Sequence, residues 1–197
     1  MSAGFGIGSF LFGLGAVWAM TGNSVRTANI IFAAGAVFFT FAAFVQLISS
    51  AGSLPDGPHA IRRAVVDPDL VSAVIQFIGT LFFNVMTIRS VVLPMSEYEA
   101  VWRPDVYGSL CFLVSSWIAW HPIVRLRRHD LIMDRSRVIL WANMLGSIFF
   151  GISAWGSKLI LPGTFENSLW ANLGTLLGAI GFLVAAVLLW PPRQART

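Results

Sequence analysis

The 197-residue chain is 56% hydrophobic and only 11% charged, and its mean hydropathy is +0.75. Soluble domains carry roughly 25% charged residues on their surfaces, so this composition excludes a soluble globule and a disordered chain. The net charge is +4, but the basic residues lie at the ends of apolar runs, which favours membrane orientation over nucleic-acid binding. The single cysteine, Cys111, excludes an intramolecular disulfide. We expect a polytopic membrane protein.

Six apolar runs are long enough to cross a bilayer, which takes about 20 helical residues. They are Phe5–Gly22, Ala28–Ser49, Leu70–Leu93, Val106–Val124, Val138–Leu161 and Leu169–Trp190. Because the runs do not alternate in polarity, they predict helices and not the strands of a barrel. The expected fold is therefore an all-α integral membrane protein whose six transmembrane helices form three tandem helical hairpins.

The chain divides at its polar connections. In order, we expect a first transmembrane hairpin (1–50), a cytoplasmic loop (51–69), a second hairpin (70–124), a basic cytoplasmic loop (125–137), a third hairpin (138–190) and a cytoplasmic tail (191–197). The prolines lie in the connections or, like Pro122, at the end of a run, and none lies in the middle of a run, so no helix is expected to kink.

Lys and Arg are distributed unequally between the two sides of the predicted membrane. The side with both termini carries more of them, and positive charge favours the cytoplasmic side. Both termini are therefore expected in the cytoplasm, with the protein in the inner membrane of a bacterium. The basic loop contributes most to this difference, through Arg125, Arg127, Arg128, Arg135 and Arg137. One explanation for these arginines is that they fix the orientation of the helices at the cytoplasmic membrane surface. The alternative is that they bind lipid headgroups or a protein partner.

A short pattern repeats in every run: a glycine, a small residue beside it, and a phenylalanine four positions after the glycine. Small residues let membrane helices approach closely, so we interpret these glycines as packing positions. The phenylalanines are expected to face lipid or to fill grooves between helices. The six glycines are Gly8, Gly35, Gly79, Gly108, Gly146 and Gly178.

Two stretches carry a resemblance to a known family: Trp102–Ser116 (WRPDVYGSLCFLVSS) and Trp141–Phe150 (WANMLGSIFF). A hairpin with an asparagine followed by G-[ST]-x-x-F resembles the YrhK-like family of small bacterial membrane proteins, mainly over the C-terminal half of the chain. The resemblance implies a bacterial two-helix module. It implies no activity and no functional residue.

The sequence contains no recognisable catalytic or metal-binding pattern. H-E-x-x-H, G-x-S-x-G and phosphate-binding loops do not occur, and His59, His121 and His129 lack ligand spacing. All nine acidic residues fall in connections or at the ends of runs, which disfavours a proton pump or an ion-coupled carrier. We therefore expect no enzyme activity, no cofactor and no metal site.

Carboxamide side chains are the polar groups that recur within the runs. They either form hydrogen bonds between helices or line a pore for an uncharged solute. The candidates are Asn29, Gln46, Gln76, Asn84, Asn143 and Asn172.

These observations leave two hypotheses for function. The first is a non-enzymatic accessory subunit, oligomeric scaffold or lipid-binding module. The alternative is a small channel or facilitator for a neutral solute or lipid. The expected partners are membrane lipid and either further copies of this chain or another membrane subunit, and no nucleic acid.

Overall fold

A computed structural model describes residues 1–53, 67–126, 134–161 and 164–190. The described chain is almost entirely α-helical, as predicted. Its long helices are α1 Ser2–Met20, α2 Val25–Gly52, α3 Pro68–Val92, α4 Tyr98–Leu126, α5 Arg135–Gly156 and α6 Ser168–Leu188. A 3-10 turn at Met95–Glu97 precedes α4, and two short antiparallel strands, β1 Leu159–Leu161 and β2 Thr164–Phe165, lie between α5 and α6.

Polar caps set the beginnings of four helices. A side-chain oxygen accepts a hydrogen bond from a backbone N–H in the first turn, which satisfies a donor that the helix itself leaves unpaired. Proline follows the cap of α3, where its missing N–H costs nothing. The capping residues are Ser24, Asp67, Asp134 and Asn167.

Five of the described helices are long and apolar enough to cross a membrane: α1, α2, α3, α5 and α6. Helix α4 is the longest, at 29 residues, but it is more polar, with Glu99, Arg103 and Asp105 in its first two turns. The outward-facing surface is apolar, and Val37 and Phe41 are 60% and 63% exposed. Large exposed apolar surfaces are typical of contact with lipid. The chain is thus a multi-pass, membrane-embedded helical protein.

The helices pack as a closed ring. The most extensive contacts join α1 to α2, α3 to α4, and α5 to α6. Further contacts join α2 to α3, α4 to α5, and α6 back to α1. Every helix in the ring therefore has two neighbours, and the first and last helices of the chain pack against each other.

Within each of the three tightest pairs, the helices cross at two repeat glycines. A Cβ atom added to Gly8 would lie 3.0 Å from the carbonyl oxygen of Gly35, and one added to Gly146 would lie 3.1 Å from that of Gly178. Gly79 and Gly108 meet in the same way, at 3.2 Å. All six glycines therefore lie where the backbones of two paired helices are in close contact.

The repeat phenylalanines meet in the middle of the ring, and no member of this group is more than 4% exposed. The ring of Phe112 lies 5.2 Å from that of Phe83 and 5.5 Å from that of Phe182, between centroids. Of the two positions expected for these phenylalanines, facing lipid or filling grooves between helices, they take the second, because each helix turns the same face of its repeat inward. We call this group the phenylalanine layer: Phe12, Phe39, Phe83, Phe112, Phe150 and Phe182.

Candidate functional site

Two cavities lie inside the ring, on opposite sides of the phenylalanine layer. The terminal cavity, of about 440 Å³, lies where α1, α3 and α5 begin. The short-loop cavity, of about 470 Å³, lies where those helices end and residues 21–24, 93–97 and 157–167 connect them to the next helix. Both volumes fall in the range of small-molecule sites.

The phenylalanine layer separates the two cavities. Phe182 borders the terminal cavity, whereas Phe12, Phe83 and Phe150 border the short-loop cavity. The rings of Phe150 and Phe182 are 5.2 Å apart in an edge-to-face arrangement, so the layer is closely packed. An apolar constriction of this kind offers water no hydrogen-bonding partners and tends to stay dry.

Three of the predicted carboxamide residues line the terminal cavity: Gln46, Gln76 and Asn143. The Ser115 hydroxyl donates to the carbonyl oxygen of Ser72 at 2.8 Å and lies 3.4 Å from Oε1 of Gln76. The carboxamides of Gln46 and Asn143 make no hydrogen bond to another described residue. The terminal cavity therefore presents uncharged groups that can both donate and accept.

Two others, Asn29 and Asn172, line the short-loop cavity. Nδ2 of Asn29 donates to the carbonyl oxygen of Ser90 at 2.8 Å, and Nδ2 of Asn172 donates to that of Ser168 at 3.1 Å. Both carboxamide oxygens lack a hydrogen-bond donor among the described residues. Hydrogen-bond acceptors are therefore available at this cavity.

Asn84, the sixth candidate, lines neither cavity. Its Nδ2 donates to the carbonyl oxygen of Thr80 at 2.9 Å and also reaches the Thr40 hydroxyl and the carbonyl oxygen of Ala36. These contacts join α3 to α2, so Asn84 is a helix-packing residue. Of the two roles considered for the carboxamides, packing therefore applies to Asn84.

The sequence reasoning did not single out Asp105, which it grouped with the other acidic residues in connections or at the ends of runs. In the structure Asp105 lines the short-loop cavity. The Ser157 hydroxyl donates to Oδ2 of Asp105 at 3.4 Å. This carboxyl lies one residue before the predicted span Val106–Val124. Burial raises its pKa to about 7, and the Ser157 bond offsets only part of that shift. Burial, followed by the charge of Asp105, raises the pKa of Tyr98 to about 12.

A signal for this site was present in the sequence. Tyr98, Trp102 and Asp105 are spaced four and three residues apart, which places them on one face of a helix. The indole N–H of Trp102 donates to the carbonyl oxygen of Ala154 at 2.8 Å, which turns this face of α4 toward α5. An interhelical contact therefore brings Asp105 to the cavity.

The arginines of the basic loop divide between described and undescribed parts of the chain. Nε of Arg135 donates to the carbonyl oxygen of Leu188 at 2.5 Å, and its guanidinium also contacts that of Trp190, so it closes the end of α6. The backbone N–H of Arg137 donates to the Asp134 carboxylate at 2.8 Å. The residues that lie outside the described ones are Arg127, Arg128, His59, His129 and the side chain of Arg125.

The third histidine, His121, lies beside Trp117, with their ring centroids 6.0 Å apart. Within the described ranges, no three His, Cys, Asp or Glu side chains lie close enough together to hold a metal ion. The polar chemistry of the described interior therefore rests on carboxamides, hydroxyls and the Asp105 carboxyl.

Comparison with known proteins supplies no relative. No family model, curated protein or solved structure matches this chain. The resemblance to the YrhK-like family therefore stays a prediction, and the cavities are interpreted from their own chemistry.

Proposed function

We propose that this protein is a small membrane channel or facilitator for neutral polar solutes. The two cavities are its entrances, and the phenylalanine layer is its closed constriction. The observation that carries the proposal is the position of two cavities, each with some polar groups in its lining, on opposite sides of one apolar layer within a closed ring. A scaffold or accessory subunit needs no such pair of internal cavities, so the geometry favours the second of our two hypotheses.

The proposal includes a membrane arrangement. All six helices cross the bilayer as three hairpins, with α4 crossing through Val106–Val124 and both termini in the cytoplasm of a bacterial inner membrane. Helix α4 supports this count because it packs between α3 and α5 and carries Gly108 and Phe112 in the same repeat as the other helices. The charge distribution supports the orientation, which puts the terminal cavity on the cytoplasmic side.

Selectivity for uncharged solutes follows from the phenylalanine layer, because the terminal cavity is lined by the Asp69 carboxylate as well as by carboxamides. A solute in the terminal cavity exchanges water for hydrogen bonds to Gln46, Gln76 and Asn143, which carry no charge. The next step is the phenylalanine layer, where an ion would lose its hydration without compensation. A small neutral molecule loses much less there, so the layer discriminates by charge.

The structure corresponds to the closed state of this pathway. Phe112 is 1% exposed and packs within the layer against three rings from other helices, those of Phe39, Phe83 and Phe182. In this proposal the pathway opens when the rings rotate away from the glycines on which they pack, Phe39 from Gly8 and Phe150 from Gly178. Conduction then requires only local side-chain motion.

Solute flux into liposomes tests this proposal. Purified protein is reconstituted, and swelling in glycerol or acetamide is followed by stopped-flow light scattering. We expect faster swelling than in protein-free liposomes, and faster still with Phe112→Ala, which removes one ring of the constriction. The control is Phe41→Ala, which removes a lipid-facing ring that is 63% exposed and should leave flux unchanged. Folded protein that gives no flux in either the native form or Phe112→Ala would overturn the proposal.

A further inference from the structure

The short-loop cavity contains one carboxyl group and no basic side chain among the described residues that line it. Asp105 has a single hydrogen bond there, from the Ser157 hydroxyl at 3.4 Å, which is long for a bond to a carboxylate. The ion pair found in the described parts of the chain, Arg103 with Glu99, lies on the exposed surface. The negative charge of Asp105 is thus without a described counter-charge.

The groups that line the cavity with Asp105 favour a ligand that donates hydrogen bonds. One N–H of the Asn29 amide and one of the Asn172 amide are engaged with backbone carbonyls, and both amide oxygens are available. The hydroxyls of Ser153 and Thr175 contact each other and also donate to the carbonyl oxygen of Ala171. The Asp105 carboxylate and the two amide oxygens are therefore acceptors that a ligand with N–H or O–H donors can satisfy.

The remaining wall suits an organic cation. Tyr98 and Phe165 are neighbours in the lining, with ring centroids 5.3 Å apart, and Phe32 contributes a third aromatic ring. Met86 and Met95 add polarisable thioethers. Aromatic faces attract cations, most strongly where water is excluded. A cavity lined by a carboxylate, hydrogen-bond acceptors and aromatic rings is chemically complementary to an ammonium group with a short apolar substituent.

We propose that the short-loop cavity is a binding site for a small ammonium-type cation, held by Asp105 with the carboxamide oxygens of Asn29 and Asn172. Its charge prevents such a cation from crossing the phenylalanine layer, so it is a bound ligand and not the permeant solute. The site belongs to this cavity alone and does not require conduction. It can therefore exist whether or not the protein forms a channel.

Proton binding to Asp105 competes with the cation. Tyr98 and Asp105 are the titratable groups among the described lining residues, and only Asp105 changes charge near neutral pH. Because the pKa of Asp105 is raised to about 7, the carboxylate is the main form above pH 7 and the neutral acid is the main form below it. Cation binding should therefore weaken as the pH falls through 7.

Equilibrium dialysis with radiolabelled methylammonium tests the site in detergent-solubilised protein at pH 8. We expect saturable binding that Asp105→Asn weakens by about 30-fold or more, the usual loss when one partner of a buried charge pair is neutralised. The Asp105→Glu variant retains the charge and should retain most of the binding. The matched control is Asp69→Asn, which neutralises a carboxylate that lines the terminal cavity and should leave binding unchanged.

Two results would overturn the assignment. One is native protein that binds no methylammonium at pH 8. The other is an Asp105→Asn variant, folded by circular dichroism, that binds it as tightly as the native protein does. Acetamide, which carries N–H donors without charge, distinguishes cation recognition from general hydrogen bonding: tighter binding of acetamide than of methylammonium would also contradict the proposal. Because dialysis measures no flux, failure of the channel proposal leaves these outcomes unaffected.

Discussion

Replacing Gly181 with alanine tests the close packing of α5 against α6. An added Cβ atom would lie 2.8 Å from the carbonyl oxygen of Ala142 and 3.0 Å from both Cα and N of Gly146. All three atoms belong to the backbone of α5, so no side-chain rotation relieves the contact. The helices have to separate, which loosens the crossing of Gly146 with Gly178.

The magnitude follows from two opposing effects. Overpacking of a well-packed interior costs about 1–3 kcal/mol. A glycine-to-alanine change inside a helix contributes about 1 kcal/mol in the stabilising direction. Gly151→Ala is a matched control, because Gly151 lies in α5 with no atom within 4 Å of its added Cβ. The two variants share the helix-propensity gain, so their difference in unfolding free energy isolates the overpacking cost of about 1–3 kcal/mol.

The assay is reversible unfolding in mixed micelles, followed by circular dichroism while the fraction of denaturing detergent is raised. We expect Gly181→Ala to unfold at a lower fraction than the native protein, and Gly151→Ala to unfold at the same fraction or a higher one. Equal stability of the two variants would refute the backbone contact between α5 and α6.

Three further substitutions separate the pathway from its framework. Asn143→Leu removes a carboxamide that has no described hydrogen-bond partner, so the free energy of unfolding should not change. Solute flux in liposomes should fall about fivefold, which corresponds to the loss of one hydrogen bond. Unchanged flux would show that Asn143 does not contact the solute. Asn84→Leu breaks the contact of α3 with α2 and should lower the unfolding free energy by about 1 kcal/mol, with flux per folded molecule unaltered. Arg135→Ala removes the cation that closes the carbonyl end of α6, and it should cost about 1 kcal/mol in the same unfolding assay.

The sequence predicted the helical fold because membrane helices are specified locally, by about 20 apolar residues and a polar boundary. It also identified the repeat glycines as packing positions, because a glycine that recurs at the same place in each run indicates close contact between helices. The repeat did not reveal that Phe112 and its equivalents point inward. Lipid and protein interior are equally apolar, so a phenylalanine fits either environment and only ring closure distinguishes them.

The cavities were harder to predict for the same reason. Asn84 and Asn143 look alike in the sequence, yet one joins two helices and the other faces a cavity. In the sequence Asp105 directly precedes an apolar run, whereas in the structure α4 begins seven residues earlier, at Tyr98, and carries Asp105 to the short-loop cavity. The helix start depends on the 3-10 turn before it and on contacts with α5, which are tertiary features that local composition does not encode.

The most direct test of the proposed pathway is the accessibility of its two entrances to water. In a Cys111→Ser background, single cysteines replace Asn143 in the terminal cavity, Asn172 in the short-loop cavity and Val37 on the 60% exposed, lipid-facing surface. A membrane-impermeant maleimide is then added to vesicles of known orientation. We predict that the cysteine at 143 reacts only from the cytoplasmic side, that the one at 172 reacts only from the opposite side, and that the one at 37 does not react. Labelling of neither cavity position, or labelling of both from the same side, would contradict a pathway closed by the phenylalanine layer.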